Sequence, residues 1–306
     1  MAPGAREGVG GHGFFAEQDR SGEGCKPWPE GSGSVWGARS GELSDVEGWR
    51  QWRVRRETKL RDPHGTLALV GTHWLGEEPA SIVEGEPVLW SAGPGGKTVL
   101  VTAKAEHGLF LRGEAIDGTV TLLPDTDEHP DIVSAPEYDI LLVLIEREGS
   151  AALRVYDANA VTLQAFDGLE AFDYDPGWAV PATFTPYDGP RVEKVLNADG
   201  VVRGLGLDGT VEFELEDGRH SFAAALTAGG GLWIVFADLT TADSKPFFRF
   251  LTTAAPAEGT GALTLDFNRA YLPPCAFTDH FVCPVPPKGN TLETPVRAGE
   301  LAVKTR

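Results

Sequence analysis

The chain has 306 residues, a hydrophobic fraction of 42% and a formal net charge of −19 at pH 7. This length suffices for one large or two ordinary domains. The negative charge argues against binding to DNA, RNA or anionic lipid, because their phosphates would be repelled. Residues 1–40 lack the apolar core of a signal peptide, and no apolar run reaches the roughly 18 residues that span a bilayer. We therefore expect a cytoplasmic protein with no membrane and no nucleic-acid partner.

The N-terminal region divides into a leader and a helix. Residues 1–43 are rich in glycine and show no periodicity, which predicts a disordered leader that contains Cys25. Ser44 and Glu47 then have the spacing of a capping box, in which each side chain binds an amide at the start of a helix. The sequence therefore predicts a helix that ends at about Arg61.

Two arginines of this helix, Arg53 and Arg56, fall on the same helical face as the apolar Trp49 and Trp52. Their aliphatic stems can extend along the core while the guanidinium groups reach solvent. Alternatively, they contact an anion beside a pocket. Both interpretations remain open from the sequence.

From Gly65 onward the hydrophobic pattern changes to the alternation that is typical of β-strands. Asp-Gly pairs at residues 117–118, 199–200, 208–209 and 217–218 predict turns between them. In the second half, we predict strands at Ala179–Phe184, Arg191–Leu196, Val201–Leu205 and Val211–Leu215. The pattern predicts an all-β protein of antiparallel, sandwich-like or barrel-like sheets with one N-terminal α-helix. We place the helix and a small β-sandwich lobe at residues 44–165, and a C-terminal β lobe at residues 166–306.

Two loops resemble ligand-binding motifs in composition but not in pattern. Residues 93–98 lack the first glycine of a phosphate-binding loop, and they lead into a predicted strand rather than a helix. Residues 124–131 contain four carboxylates but no glycine at the bend that a calcium loop requires. The histidines and cysteines also lack the paired spacing of zinc sites. We therefore predict no metal site and no cofactor.

The segment from Leu265 to Glu300 is the most informative part of the chain. It concentrates polar side chains and prolines, and it reads DFNRAYLPPCAF from Asp266 to Phe277. Pro-Pro makes a rigid turn, and so many polar groups in a loop are costly unless they are paired or used. We therefore expect this segment, the Cys-Pro segment, to be either a structural plug or one wall of a site.

The Cys-Pro segment resembles the bacterial family of proteins of unknown function numbered 1684. The resemblance rests on DFNRAY (266–271), PPCAF (273–277), CPVPP (283–287) and AGE (298–300), and it extends upstream to about residue 45. Leu272 departs from the family, whose members often carry asparagine there, and Asp279-His280 replaces a more usual proline–aromatic pair. The resemblance implies no established activity.

Cys275 and Cys283 are separated by seven residues across a turn, so their sulfurs can meet. They can form a disulfide, although a reducing compartment disfavours it, or they can bind a metal together with His280. Cys275 can also be a nucleophile whose thiolate is favoured by Arg269 or His280. The remaining alternative is structural, with buried thiols and an internal pair between Arg269 and Asp266.

Two function classes follow. The first is an enzyme that acts on a small polar or anionic substrate. The second is a non-catalytic β protein that binds a small-molecule ligand and uses the Cys-Pro segment as a scaffold. The candidate catalytic residues are Cys275, His280 and Asp266, and the candidate substrate-binding residues are Arg53, Arg56, His73, Arg249, Asn268, Arg269 and Tyr271. Strand spacing places Asp266 and Asn268 on one face and Arg269 on the other, so these three need not serve one site.

Overall fold

The computed structural model describes residues 45–244 and 246–306, which are predominantly antiparallel β-sheet. The predicted fold class, all-β with one N-terminal α-helix, is confirmed; one further short helix is present. The predicted leader, with Cys25, and Ser44 of the predicted capping box lie outside the described residues. Within the described part of the chain, no helix has both the length and the apolar character needed to cross a membrane.

The N-terminal strands form two sheets that share a hydrophobic core. One sheet has six strands and the other has three, and valine, leucine and isoleucine side chains from both fill the space between them. The helices and these strands are α1 (Asp45–Leu60), α2 (Val161–Ala165), β1 (Leu69–Trp74), β2 (Leu89–Ala92), β3 (Val99–Ala103), β4 (Phe110–Leu111), β5 (Glu114–Ala115), β6 (Gly118–Leu122), β7 (Ile132–Ala135), β8 (Ile140–Arg147) and β9 (Ser150–Asp157). The strand orders are β1-β9-β8-β7-β4-β5 and β2-β3-β6.

In both loops that resemble ligand-binding motifs, neighbouring strands or ion pairs account for the residues that suggested a ligand. Residues 93–98 connect β2 to β3, so a strand follows the glycines, as predicted. The acidic loop is less solvated than its composition suggests, because two of its carboxylates are buried. Asp125 pairs with Arg147 at 2.9 Å, and Asp131 pairs with Arg112 at 2.7 Å.

The C-terminal strands form a six-stranded half-barrel and a separate two-stranded sheet. The half-barrel buries one hydrophobic cluster on each face, which explains why all five residues of the strand Leu232–Phe236 are apolar and buried. These strands are β10 (Phe166–Ala171), β11 (Ala179–Leu196), β12 (Val202–Leu215), β13 (Gly218–Leu226), β14 (Leu232–Phe236), β15 (Arg249–Thr252), β16 (Ala262–Asp266) and β17 (Glu300–Thr305). The half-barrel order is β15-β14-β13-β12-β11-β16, and β10 pairs with β17.

The prediction of a turn at Asp208-Gly209 is wrong. β12 runs without interruption through this pair, and β11 likewise replaces two predicted strands, with a register shift between Pro186 and Arg191. A Cβ atom at residue 209 would lie 2.3 Å from Cε2 of Phe184. Glycine is therefore required at this position by close packing between neighbouring strands rather than by a turn.

The two halves of the molecule meet where β1 and β9 face the half-barrel. Leu69 of β1 is buried in the same cluster as Leu205 and Trp233 of the half-barrel, and Tyr156 of β9 packs against it. Cys283 of the Cys-Pro segment belongs to this cluster as well. The segment therefore lies at the junction of the two halves, which we call the lobe junction.

Candidate functional site

Helix α1 docks on the Cys-Pro segment through Glu300, which is only 1% exposed. Arg56 donates from Nε to Glu300 Oε1 at 3.1 Å and from Nη2 to the carbonyl oxygen of Leu272 at 2.9 Å. Glu300 Oε2 also accepts the backbone N–H of Leu272 at 2.8 Å. The guanidinium of Arg56 lies over the rings of Tyr271 and Phe277. Arg56 therefore joins the helix, the Pro-Pro turn and the start of β17.

Arg249 is fully buried and connects β15 to the end of the Cys-Pro segment. Its Nη2 donates to Asp238 Oδ2 at 2.6 Å and to the carbonyl oxygen of Val296 at 3.1 Å. Its Nη1 donates to the carbonyl oxygens of Ala298 and Glu300. Both terminal nitrogens of this predicted anion clamp are therefore directed at protein acceptors.

One turn contains Asp266, Asn268 and Arg269. The prediction that a strand places Arg269 on the opposite face from the other two is therefore wrong. β16 ends at Asp266, and the next three residues form a 3₁₀ turn. Asp266 accepts from Arg269 Nε at 2.9 Å and from Asn268 Nδ2 at 2.9 Å, which confirms the expected internal Asp266–Arg269 pair. Trp49 of α1 donates from Nε1 to the carbonyl oxygen of Asn268 at 2.9 Å. The turn thus provides a second docking point for α1.

Tyr271 and Arg53 occupy different surroundings. Tyr271 is buried beside Phe250, and its hydroxyl lies 3.2 Å from Oγ1 of Thr252. Arg53 lines an open cleft of about 450 Å³ along α1, together with Trp49, Arg50, Val54, Glu57, Thr58 and Arg61. Arg53 donates to the carbonyl oxygen of Leu169 at 3.3 Å and lies 3.6 Å from a Glu57 oxygen. This cleft gathers three guanidinium groups on a strongly acidic chain.

Reactive and charged side chains collect at the lobe junction, where β1 and β9 face residues 275–283. Thr72 of β1 donates from Oγ1 to the carbonyl oxygen of His280 at 2.8 Å, and Thr278 donates from Oγ1 to the carbonyl oxygen of Leu69 at 3.2 Å. We call the following set the junction cluster: His73, Arg154, Cys275, His280 and Cys283. Within the described residues, no three His, Cys, Asp or Glu side chains are arranged to hold a metal ion.

The two thiols of the junction cluster are in contact. The backbone N–H of Cys275 donates to Cys283 Sγ at 3.3 Å, and the side chains are also in hydrogen-bonding contact. Cys275 is half-buried, whereas Cys283 is only 5% exposed. Burial raises the pKa of the Cys283 thiol well above its usual value, and the nearby charge of Arg154 opposes this shift. Arg154 itself is buried and lies over the ring of Phe281.

The two histidines of the junction cluster influence each other. Partial burial lowers the pKa of His73 below its ordinary value of 6.5, and the positive charge of His280 lowers it further. His73 is therefore neutral at pH 7 and is able to accept a proton. His280 is exposed at the rim of the junction.

The lowered pKa of His73 predicts a pH-dependent stability. The unfolded chain binds a proton at His73 more readily than the folded protein, so the contribution of this residue is complete above about pH 6.5 and is lost as the pH falls below it. We expect urea denaturation to give a smaller unfolding free energy at about pH 5.5 than at about pH 7.5. His73→Gln should reduce this difference. His129→Gln, in the exposed part of the acidic loop, should leave it unchanged, and equal effects of the two substitutions would contradict the prediction.

The sequence-based prediction missed three residues of these sites, namely Arg154, Glu300 and Asp238. Arg154 lies within the apolar strand residues AALRVY (151–156), and an arginine in such a run is a usable signal, because buried arginines are rare unless they are paired. Glu300 closes the AGE block, but nothing local indicates its partner. Asp238 follows a fully buried strand, at a position where polar groups often lie.

Comparison with known proteins places the chain in a family. The family described as "Protein of unknown function (DUF1684)" matches residues 164–301. An uncharacterized protein of Haloarcula marismortui, whose structure was determined in solution by NMR, is 32% identical, over 46% of this chain and 77% of that chain, with a TM-score of 0.37. The chain belongs to the DUF1684 family. No curated protein matches it.

The DUF1684 match is narrower than the span inferred from the motifs, which begins at about residue 45. It includes Arg249, Glu300 and the whole stretch between Cys275 and Cys283. Arg56 and His73 precede it. The Cys-Pro segment is therefore the part of the candidate site that lies in the DUF1684 region, whereas its contacts with α1 and β1 come from outside that region.

Proposed function

We propose that this protein is an enzyme that acts on a small polar or anionic substrate at the lobe junction, with Cys275 as the reacting thiol. The observation that carries the proposal is the junction cluster, in which two contacting thiols lie near the buried guanidinium of Arg154, and His280 is in the loop between the two cysteines. A thiolate is the nucleophilic form of cysteine, and nearby cationic groups favour it. Perturbed titratable groups also concentrate at functional sites.

Each member of the cluster has a role in the proposal. Cys275 is the half-buried thiol, so it is the sulfur that a substrate reaches, and Cys283 lies behind it. Exposed His280, in the loop between the two cysteines, meets the substrate at the rim and receives the thiol proton, while His73, whose pKa the charge of His280 lowers, is neutral at pH 7. Arg154 supplies the positive charge for an anionic group. We assign this role to Arg154 because its positive charge lies close enough to the Cys283 thiol to lower the pKa of that thiol.

A comparison of two alkylating reagents tests the proposal. We expect the ratio of the alkylation rate with anionic iodoacetate to the rate with neutral iodoacetamide to be about tenfold higher at Cys275 than in glutathione. A favourable interaction of about 1.4 kcal/mol between the anionic reagent and Arg154 would change the rate tenfold. The measurement is the alkylation rate of the Cys275 peptide in the folded full-length chain, followed by mass spectrometry. The same rate ratio at Cys275 and in glutathione would contradict the proposal.

Two variants complete this test. Arg154→Gln should abolish the preference for iodoacetate, whereas Arg203→Gln should retain it, because Arg203 is a junction arginine that pairs with Asp199 and stacks on Trp74. Cys275→Ala should fold with an unchanged melting temperature. Loss of folding in Cys275→Ala would instead assign the thiol a structural role.

The alternative function is the non-catalytic binding of a small ligand, with the Cys-Pro segment as scaffold. One observation favours it: Arg56 and Arg249 hold that segment, while Arg53 lines the open cleft along α1 with two further arginines. Inert thiols without a preference for iodoacetate would support this alternative. The cleft along α1 would then be the candidate binding surface for an anion.

A further inference from the structure

The contact between Cys275 and Cys283 has a chemical consequence that does not depend on any substrate. Both cysteines are free thiols, and the backbone N–H of Cys275 lies 3.3 Å from Cys283 Sγ. Since an N–Cα bond is about 1.5 Å long, the Cα atom of Cys275 is within about 5 Å of that sulfur. We propose that Cys275 and Cys283 form a reversible oxidation site, at which hydrogen peroxide converts the two thiols into a disulfide.

The backbone around the two cysteines favours ring closure. Pro274 immediately precedes Cys275, and Pro284 immediately follows Cys283. Proline restricts the backbone at both ends of the loop, so the reduced segment has less conformational freedom to lose when the bond forms. The loop is also held at Thr278, whose hydroxyl donates to the carbonyl oxygen of Leu69. The two sulfurs are therefore kept together before oxidation.

The unequal exposure of the thiols sets the order of the reaction. The thiolate of half-buried Cys275 attacks one oxygen of hydrogen peroxide, which yields a sulfenic acid and, after protonation, one water. The Cys283 sulfur, after losing its proton, attacks the Cys275 sulfur and displaces hydroxide, which leaves as a second water. Two thiols are thus oxidised to one disulfide, while one peroxide is reduced to two waters. A dithiol reductant reverses the change by thiol–disulfide exchange.

Oxidation would act directly on the junction cluster. The loop between the two cysteines carries His280, whose carbonyl oxygen accepts a hydrogen bond from Thr72 of β1. It also carries Phe281, which packs under the guanidinium of Arg154. A covalent bond across the base of this loop would change the surroundings of both groups and remove the free thiol of Cys275. The site therefore links the oxidation state of the chain to the geometry of the lobe junction.

Mapping the oxidised wild-type chain tests the proposal without any substitution. The full chain has three cysteines, and Cys25 is the internal reference. After treatment with hydrogen peroxide and then iodoacetamide, we expect a peptide pair joined between Cys275 and Cys283, with Cys25 alkylated. Dithiothreitol should restore alkylation at all three. Alkylation of both Cys275 and Cys283 after peroxide, or bridges that include Cys25, would overturn the proposal.

Variants test the order of the steps. In Cys283→Ser, the sulfenic acid at Cys275 has no partner, so dimedone should label Cys275 several-fold more than in the wild type. In Cys275→Ser, Cys283 should stay reduced because it is buried. The matched control Cys25→Ser should form the disulfide as the wild type does. Equal dimedone labelling of Cys275 in the wild type and in Cys283→Ser would overturn the assigned role of Cys283. None of these outcomes depends on a preference for iodoacetate, so the proposed function and this proposal can fail separately.

Discussion

Replacement of Asp238 by alanine is expected to lower the free energy of unfolding by about 3–5 kcal/mol, because it leaves a buried charge without its partner. Arg249 and Asp238 are both fully buried, with Nη2 and Oδ2 2.6 Å apart. The other oxygen of Asp238 accepts the backbone N–H of Val296 at 3.1 Å. One substitution therefore removes the counter-ion of Arg249 and an acceptor for the Cys-Pro segment.

Urea denaturation followed by circular dichroism measures this loss. The matched control is Asp167→Ala, which breaks the surface pair with Arg306 and should change stability by no more than about 1 kcal/mol. The double variant Asp238→Ala, Arg249→Met should be more stable than Asp238→Ala alone, because it removes the uncompensated charge. If Asp238→Ala were as stable as Asp167→Ala, the buried pair would not be what holds β15 to the segment.

The local features of the fold are predictable from the sequence because local interactions cause them. α1 ends at Leu60, within one residue of the predicted end, since Pro63 prevents the helix from continuing. The alternation of apolar and polar residues likewise predicts the strands. The failure at Asp208-Gly209 has a long-range cause, because the ring of Phe184 on the neighbouring strand demands a glycine there. In a single sequence, an Asp-Gly pair that forms a turn cannot be distinguished from one whose glycine is required by close packing.

The candidate site is less predictable, because residue types do not identify their partners. Arg56 meets Glu300 across 244 positions of the chain, and Arg249 meets Ala298 across 49. The sequence suggests that these arginines need acceptors, but whether the acceptor is a ligand or a carboxylate depends on the packing of distant elements. The proximity of Cys275 and Cys283 was foreseeable, since only seven residues separate them. The approach of Arg154 to these cysteines was not foreseeable, because β9 meets residues 275–283 only where the two halves of the molecule pack together.

The second large effect is expected at Glu300, whose replacement by alanine should lower the unfolding free energy by about 2–4 kcal/mol, since hydrogen bonds to a charged group contribute about 1.5–3 kcal/mol each. The carboxylate binds both Arg56 and the backbone N–H of Leu272. The loss should be smaller than at Asp238, because the side chain of Arg56 is 17% exposed and water can solvate it in part. Glu300→Gln, which keeps an acceptor oxygen, should be intermediate.

Urea denaturation tests this ranking. The variants compared are Glu300→Ala, Glu300→Gln and the control Glu293→Ala, which replaces an exposed glutamate of the same segment. Leu272, immediately before the Pro-Pro turn, loses the acceptor of its backbone N–H in Glu300→Ala, so the segment should open more often. Buried Cys283 should then be alkylated faster by iodoacetamide. Stability and alkylation that both match the Glu293→Ala control would contradict the prediction. Lower stability with unchanged alkylation of Cys283 would show instead that Glu300 stabilises the docking of α1 but not the loop that carries the thiols.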